Sequence, residues 1–399
     1  MTDRRTVIRA LLAGAGIAPW ATLAVAQGDA RAERRLVFVI LRGGLDGLTA
    51  VPAAGDPAFA EARGALGQFG AFDGPPRPLE GPFALHPLLP ELHAMYGRGE
   101  LAVLHATGVP YRERSHFDAQ QVLESGGTRP HELATGWLGR ALQAAGGARP
   151  RAVALETAVP LVLRGADAVD TWAPSMLPEP APDLVARLEQ LYRSDPALAQ
   201  ALRRARMLRE DGSMAAQGAM GAARPGAGRT PAVMLAQRAA EFLQRGSQVA
   251  VLELGGWDSH ANQGAPNGAT SANLRRLDAM LAALREGLLA GDTWSRTAVL
   301  VATEFGREVQ VNGTLGTDHG SGGAAFVLGG AVRGGRVLAD WPGLAKRDRF
   351  EGRDLRITTD LRAVLRPLLA AQLQVPRAAL DASVLPGSAG LREPDLLRG

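Results

Sequence analysis

Leu36-Val37-Phe38-Val39-Ile40-Leu41 is apolar at every position and stops at Arg42-Gly43-Gly44. A strand with one wet face would alternate, so an unbroken run closing in glycines predicts a strand buried on both faces of a parallel sheet. Leu101 to His105, Gln248 to Leu254 and Thr297 to Ala302 read alike, each followed by a polar or glycine-rich segment. Helical patterns lie between them, the clearest being the stripe of Leu274, Leu277, Leu281, Leu284 and Leu288, spaced by three and four. Strand and helix alternate, which predicts an α/β fold around a mainly parallel sheet.

Three stretches rich in Gly, Pro and Ala interrupt the pattern, at 74–82, 172–182 and 211–230. The last has no burying periodicity and predicts a flexible insertion or linker. No internal repeat is visible. The N-terminus follows a different logic: Asp3-Arg4-Arg5-Thr6-Val7-Ile8-Arg9 sets an arginine pair before the mildly apolar Ala10 to Val25, and Ala24-Val25-Ala26 supplies small residues for cleavage. Residues 1–26 therefore read as a twin-arginine signal peptide, with the twin-arginine translocase as transient partner and a periplasmic or extracellular destination. Gly14, Gly16 and Pro19 make the stretch a poor membrane-spanning helix, and it falls short of a ~20-residue span. An uncleaved anchor of the same topology is the alternative. That route carries folded cargo, which allows a metal to be loaded before export.

About 370 residues follow, enough for one large α/β domain, and 27–399 is read as that single domain. The chain has no cysteine, so thiolate metal sites and cysteine nucleophiles are excluded. Its net charge of +4 is modest, and Lys346 is its only lysine. No basic run interleaved with aromatics occurs, which gives nucleic-acid binding no support.

Ligands of open parallel sheets bind beyond the carboxyl ends of the strands, and all four loops there are rich in candidates. The first holds Asp46 among glycines, either a turn residue or a ligand. The second holds Tyr111 to Asp118, in which Ser115 either caps the following helix or serves as a nucleophile at its positive end. In the third, Asp258 and His260 stand two residues apart, reachable by one metal. The fourth carries Glu304 and Arg307, a structural ion pair or site residues, followed by Asp318 and His319 in a glycine-rich bed. Acids and histidines converging from separate strand ends are what a metal-assisted hydrolytic site requires. His86, His93, His105 and His131 read as core or surface residues, and His116 fits either role.

The ordered set Leu41 to Leu48, Arg114 to Gln120, Gly255 to His260, Thr303 to Arg307 and Gly316 to Gly320 resembles the exported bacterial family called domain of unknown function 1501. That family is in turn similar to the alkaline phosphatase and sulfatase superfamily, which implies a doubly wound α/β fold with helices on both faces and a two-metal site. The resemblance implies metal ligands at Asp46, Asp258, His260 and His319, with Glu304 and Asp318 in or beside the same set, and Ser115 as nucleophile. Glu304-Phe305 stands where the superfamily has Asp-His, which places Arg307 where a second cation would be and gives it the task of holding the transferred group. The implied activity is hydrolysis of a small anionic phosphate or sulfate ester with a divalent metal such as zinc, manganese or iron. A relative that binds a ligand or partner without catalysis is the alternative.

The export reading has a direct test. Replacing Arg4 and Arg5 together by lysine is expected to leave full-length precursor inside the cell, as seen by immunoblot of fractionated cells; undiminished export would remove the assignment.

Overall fold

The computed structural model describes residues 34–72, 74–146, 152–174, 182–196, 198–203, 205–206 and 230–398. The expected signal and nearly all of the 211–230 insertion lie outside them. No helix among the described residues is long and apolar enough to cross a membrane.

The first apolar run forms β1 (Arg35–Leu41), followed by a small antiparallel pair, β2 (Arg77–Pro78) and β3 (Ala84–Leu85). The main sheet continues with β4 (Leu101–Gly108), β5 (Ala152–Ala154), β6 (Val169–Thr171), β7 (Val249–Leu254), β8 (Thr297–Thr303), β9 (Gly323–Leu328), β10 (Arg336–Leu338) and β11 (Thr359–Asp360). Its order is β10-β4-β9-β8-β1-β7-β5-β6, with β11 also paired to β4. β1 lies at the centre, parallel to β7 on one side, where Val37 faces Ala250, and to β8 on the other, where Val37 faces Val299. The two halves of the chain are thus interleaved in one sheet, which the predicted linker at 211–230 does not divide.

All four predicted strands are present, and β1 shows why they carry no alternation. Val37, Val39 and Leu41 enter one hydrophobic cluster, while Leu36, Phe38 and Ile40 enter another on the opposite face. The first face is covered by α3 (Pro90–Gly97), α7 (Pro231–Gln244) and α8 (Ala269–Ala290), after the short α1 (Gly47–Ala50) and α2 (Phe59–Arg63). The predicted leucine stripe is the inner side of α8, with Leu274, Leu277, Leu281, Leu284 and Leu288 all buried. The second face is covered by α4 (His116–Ser125), α5 (Trp137–Ala145) and α9 (Leu361–Gln372), and α6 (Pro182–Leu191) is a further described helix. Helices on both faces of one mainly parallel sheet make the fold α/β and doubly wound.

β9 was not predicted, and it runs antiparallel to both β8 and β4. This reversal positions the site. The ends of β1, β4, β7 and β8 share one edge, and an antiparallel β9 must start at that same edge. The connection from β8 to β9 therefore leaves and re-enters the sheet at the edge where the other loops emerge.

Trp137, at the start of α5, locks the second face: it is fully buried, stacks edge-on against Phe38 at 5.3 Å, and donates its indole N–H to the Leu123 carbonyl at 3.0 Å. Trp137→Ala opens a large cavity and strands that carbonyl, and is expected to lower unfolding free energy by about 3–5 kcal/mol in urea titrations. A loss under about 1 kcal/mol would show that this face is not held as described.

Candidate metal centre

His116, Asp258 and His319 meet at the edge of the sheet. Their Nε2, Oδ1 and Nε2 atoms are separated by 3.0 Å between the imidazoles, 3.4 Å from His116 to Asp258 and 3.1 Å from His319 to Asp258. Donors held about 2.0–2.2 Å from one tetrahedral ion lie about 3.3–3.6 Å apart, so the three atoms nearly have ligand spacing already. These three residues are the group among the described residues that a metal ion could bridge. His260 joins the same two partners, its Nε2 lying 2.9 Å from Asp258 Oδ1 and 3.2 Å from His319 Nε2.

Each imidazole is held from behind. His116 Nδ1 faces Glu304 Oε1 at 2.7 Å, His260 Nδ1 faces Asp318 Oδ1 at 3.0 Å, and His319 Nδ1 faces the Arg114 carbonyl at 3.2 Å. Carboxylates and carbonyls only accept, so with a proton on each Nδ1 the Nε2 lone pairs converge on the Asp258 carboxylate. Four such acceptors within hydrogen-bonding distance repel unless a cation or added protons lie among them. The donor set therefore fits a divalent metal, and nitrogen with one carboxylate suits zinc, manganese or iron.

Local sequence explains how each group arrives. Arg114 adopts φ 59°, directs its carbonyl at His319 and ties its side chain to Asp354 and Glu351 at 2.8 and 2.7 Å. Ser115 then caps α4, accepting from the Asp118 amide at 3.5 Å, and His116 opens the helix facing the cluster. Gly43 lets the β1 and β7 loops touch: its φ is +116°, and a Cβ there would come within 2.4 Å of the Asp258 nitrogen.

Glu304 is fully buried and accepts from the Gly43 amide, Gln120, Thr303 and His116. Burial pushes its pKa up, but these donors outweigh it and hold the carboxylate below its ordinary range. Burial likewise opposes ionisation of Asp258, which its contacts with His319 and Arg307 and the Arg307 charge reverse, leaving it strongly depressed. The hydrogen bond from His260 leads in lowering Asp318. The bond to Glu304 raises His116, whereas burial and the charges of Arg307 and His116 lower His319.

Of the residues expected to be ligands, Asp258, His260 and His319 come together. Asp46 is placed elsewhere, while Glu304 and Asp318 fall beside the set, which is one of the two placements expected. Asp46 is buried within the first face: Oδ1 caps α1 through the Leu48 and Thr49 amides, and Oδ2 accepts from Thr49 Oγ1 at 2.7 Å and Arg63 Nη2 at 2.5 Å. Both oxygens are engaged, so it serves the fold. Glu304 and Asp318 stand one residue behind, orienting His116 and His260. Ser115 uses its hydroxyl as the α4 cap, so the side chain that its turn sends to the cluster is His116.

Arg307 is also placed differently from expectation. Its side chain is buried, and it donates to the carbonyls of Gly44, Thr317, Gly43 and Trp257 and, at 2.7 Å, to Asp258 Oδ1, with His260 Nε2 3.4 Å from Nη1. All its donors are engaged, which leaves none for a transferred group. Further contributors are His116, which the sequence left open between two roles, and Gln120 and Arg114, which it did not single out.

The correction at Asp46 is testable. Asp46→Ala leaves Arg63 charged, buried and unpaired, and is expected to cost about 3–5 kcal/mol in chemical denaturation while metal uptake per folded chain is unchanged. Loss of metal binding in folded Asp46→Ala protein would restore Asp46 as a ligand.

The model of the family described as "Protein of unknown function (DUF1501)" matches residues 96–376. Comparison with curated proteins gives no match. Among solved structures the chain is similar to the PsFucS1 sulfatase from Pseudoalteromonas sp., at 12% identity over 94% of this chain and 74% of that one, TM-score 0.41. It is similar to the C-terminal periplasmic domain of EcEptC from Escherichia coli, a complex with Zn, at 12% identity over 74% and 73% of the two chains, TM-score 0.37. It is also similar to the lipoteichoic acid synthase LtaP from Listeria monocytogenes, at 10% identity over 90% and 76%, TM-score 0.36.

Proposed function

The chain belongs to the DUF1501 family, and from that premise we propose that it is an exported hydrolase of phosphate or sulfate esters that works with one divalent metal. The observation that carries this reading is the convergence of His116 Nε2, Asp258 Oδ1 and His319 Nε2, with a carboxylate or carbonyl behind each imidazole. Three protein donors with further positions open is the arrangement of catalytic metal sites; structural ones close the fourth position with protein. His260, next to two of the three donors and partly exposed, stands where it can complete the set or face a ligand. When bound, a divalent ion supplies Lewis-acid polarisation of an ester oxygen and stabilises developing negative charge. The residues of the chain do the rest: Glu304 and Asp318 fix the rings, and Arg307 holds Asp258 in place.

Ser115 gives its hydroxyl oxygen to the helix cap and Arg307 is engaged by the loops, so this reading assigns the attack on the ester to water. The same two facts favour a second reading, a metal-loaded protein that binds an anionic ligand or an envelope partner and catalyses nothing. Destination outside the cytoplasm by the twin-arginine route belongs to the proposal on the strength of Arg4, Arg5 and the apolar stretch after them.

Protein stripped with chelator and titrated with zinc or manganese is expected to take up one ion per chain. Glu304→Gln should weaken uptake by about 10–100-fold, since it loosens the group that aims His116. His319→Ala should weaken it further, and Ser115→Ala should leave it unchanged. A folded protein that takes up no ion overturns the metal reading. Stoichiometric uptake without turnover of nitrophenyl phosphate, diester or sulfate selects the binding protein.

A further inference from the structure

We propose that the ligand of this centre carries no more than one negative charge at the reacting group, as a sulfate ester or phosphate diester does, and that phosphate monoester dianions are disfavoured. The inference rests on the metal reading above and concerns the fixed charges around the site. Among the described residues, Asp258, Glu304 and Asp318 are opposed within the cluster by Arg307, with the charge of Arg353 reaching Asp318 from outside it and the imidazoles counted as neutral. Two negative charges remain, and a divalent ion cancels them. The loaded centre is neutral.

Among the described residues, the arginines of the surrounding loops are already engaged. Arg42, which opens the β1 loop, is shared between Glu124 and Glu253. Arg114 pairs with Glu351 and Asp354, and Arg353 pairs with Asp354 and Glu308. Arg112 turns inward to the carbonyls of Val109 and Tyr111, with the charge of Asp360 facing it. Each of these guanidiniums has a carboxylate or backbone partner, and each of the first two groupings carries more acids than arginines. A dianion would enter a site with one exchangeable cation and a fringe of carboxylates, and the second charge would gain nothing to offset its desolvation. A monoanion leaves water for one charge only, opposite the metal.

The geometry also explains why Arg307 cannot make up the deficit. Its donors are directed at four carbonyls and Asp258, so moving it toward a ligand would take the donor from the buried carbonyls of Gly43, Gly44 and Thr317.

The test uses the full mature chain loaded with zinc, with loading measured first. Methyl sulfate and dimethyl phosphate, both monoanions, and methyl phosphate, a dianion at pH 8, are titrated separately by calorimetry at low ionic strength. The monoanions are expected to bind at least about tenfold more tightly than methyl phosphate, the scale of one unscreened charge near a partly exposed site. Asp318→Asn, which keeps an acceptor for the ring of His260 while removing one negative charge, should narrow that gap by about tenfold. Tighter binding of methyl phosphate to the loaded parent, or binding of none of the three anions, overturns the inference. Failure to load zinc overturns the preceding reading instead, and the loading measurement tells the two apart.

Discussion

A guanidinium with no exposure to water must put every N–H on an acceptor, and Arg307 does so by drawing together four segments of the chain. Gly43 and Gly44 follow β1, Trp257 and Asp258 follow β7, Thr317 belongs to the connection entering β9, and Arg307 itself follows β8. The carbonyls of Gly43, Gly44 and Thr317 gain from it a partner away from solvent, and that of Trp257 shares it with the Ser259 amide. The position of Asp258 follows from this clamp, and with it the point on which the imidazoles converge. Glycines make such proximity possible: Gly306 and Gly322 pass so closely that a Cβ on the first would fall 1.8 Å from the carbonyl oxygen of the second.

Much of this was legible in the sequence, for a physical reason. β1, β4, β7 and β8 are buried on both faces and therefore announce themselves as continuous apolar runs, and α8 has a single inner stripe. β5, β6 and β10 are three residues long, too short to show any period. β9 begins directly in the glycine-rich segment that reads as loop, so its strand character was hidden by the same residues that let it approach Gly306. At the site, Asp258 and His260 were legible because they lie just past the end of β7, and His319 because an acid and an imidazole stand together in the glycine-rich segment before β9. The division of labour was not. Carboxylate and imidazole sit close together in sequence in both 258–260 and 318–319, yet Asp258 reaches the centre while Asp318 turns behind His260. Only the direction of each loop decides that.

Asp46 shows the converse. In sequence, an aspartate among glycines beyond the first strand looks the same whether it faces a metal or caps a helix. What settles it is Arg63, seventeen positions later and fully buried, which needs a carboxylate partner and finds this one. Thr49, three residues after Asp46 and bonded to it, was the local sign of a cap. His116 was obscured in a related way, because the serine before it was the better candidate both as cap and as nucleophile.

The antiparallel β9 has a consequence for how such a protein can diverge. A parallel crossover must carry a helix across the face of the sheet, so altering it disturbs the core. The connection from β8 to β9 starts and ends at one edge and carries His319, the Asp318 that steadies His260, and the exposed Leu315 in a single excursion. Its tip can change without touching a core residue, provided Arg307 and Thr317 keep their bond and Asn312, Thr314 and Leu315 keep theirs to the His260 loop. Selection can therefore remodel the rim of the centre as an independent module, while the sheet beneath stays fixed.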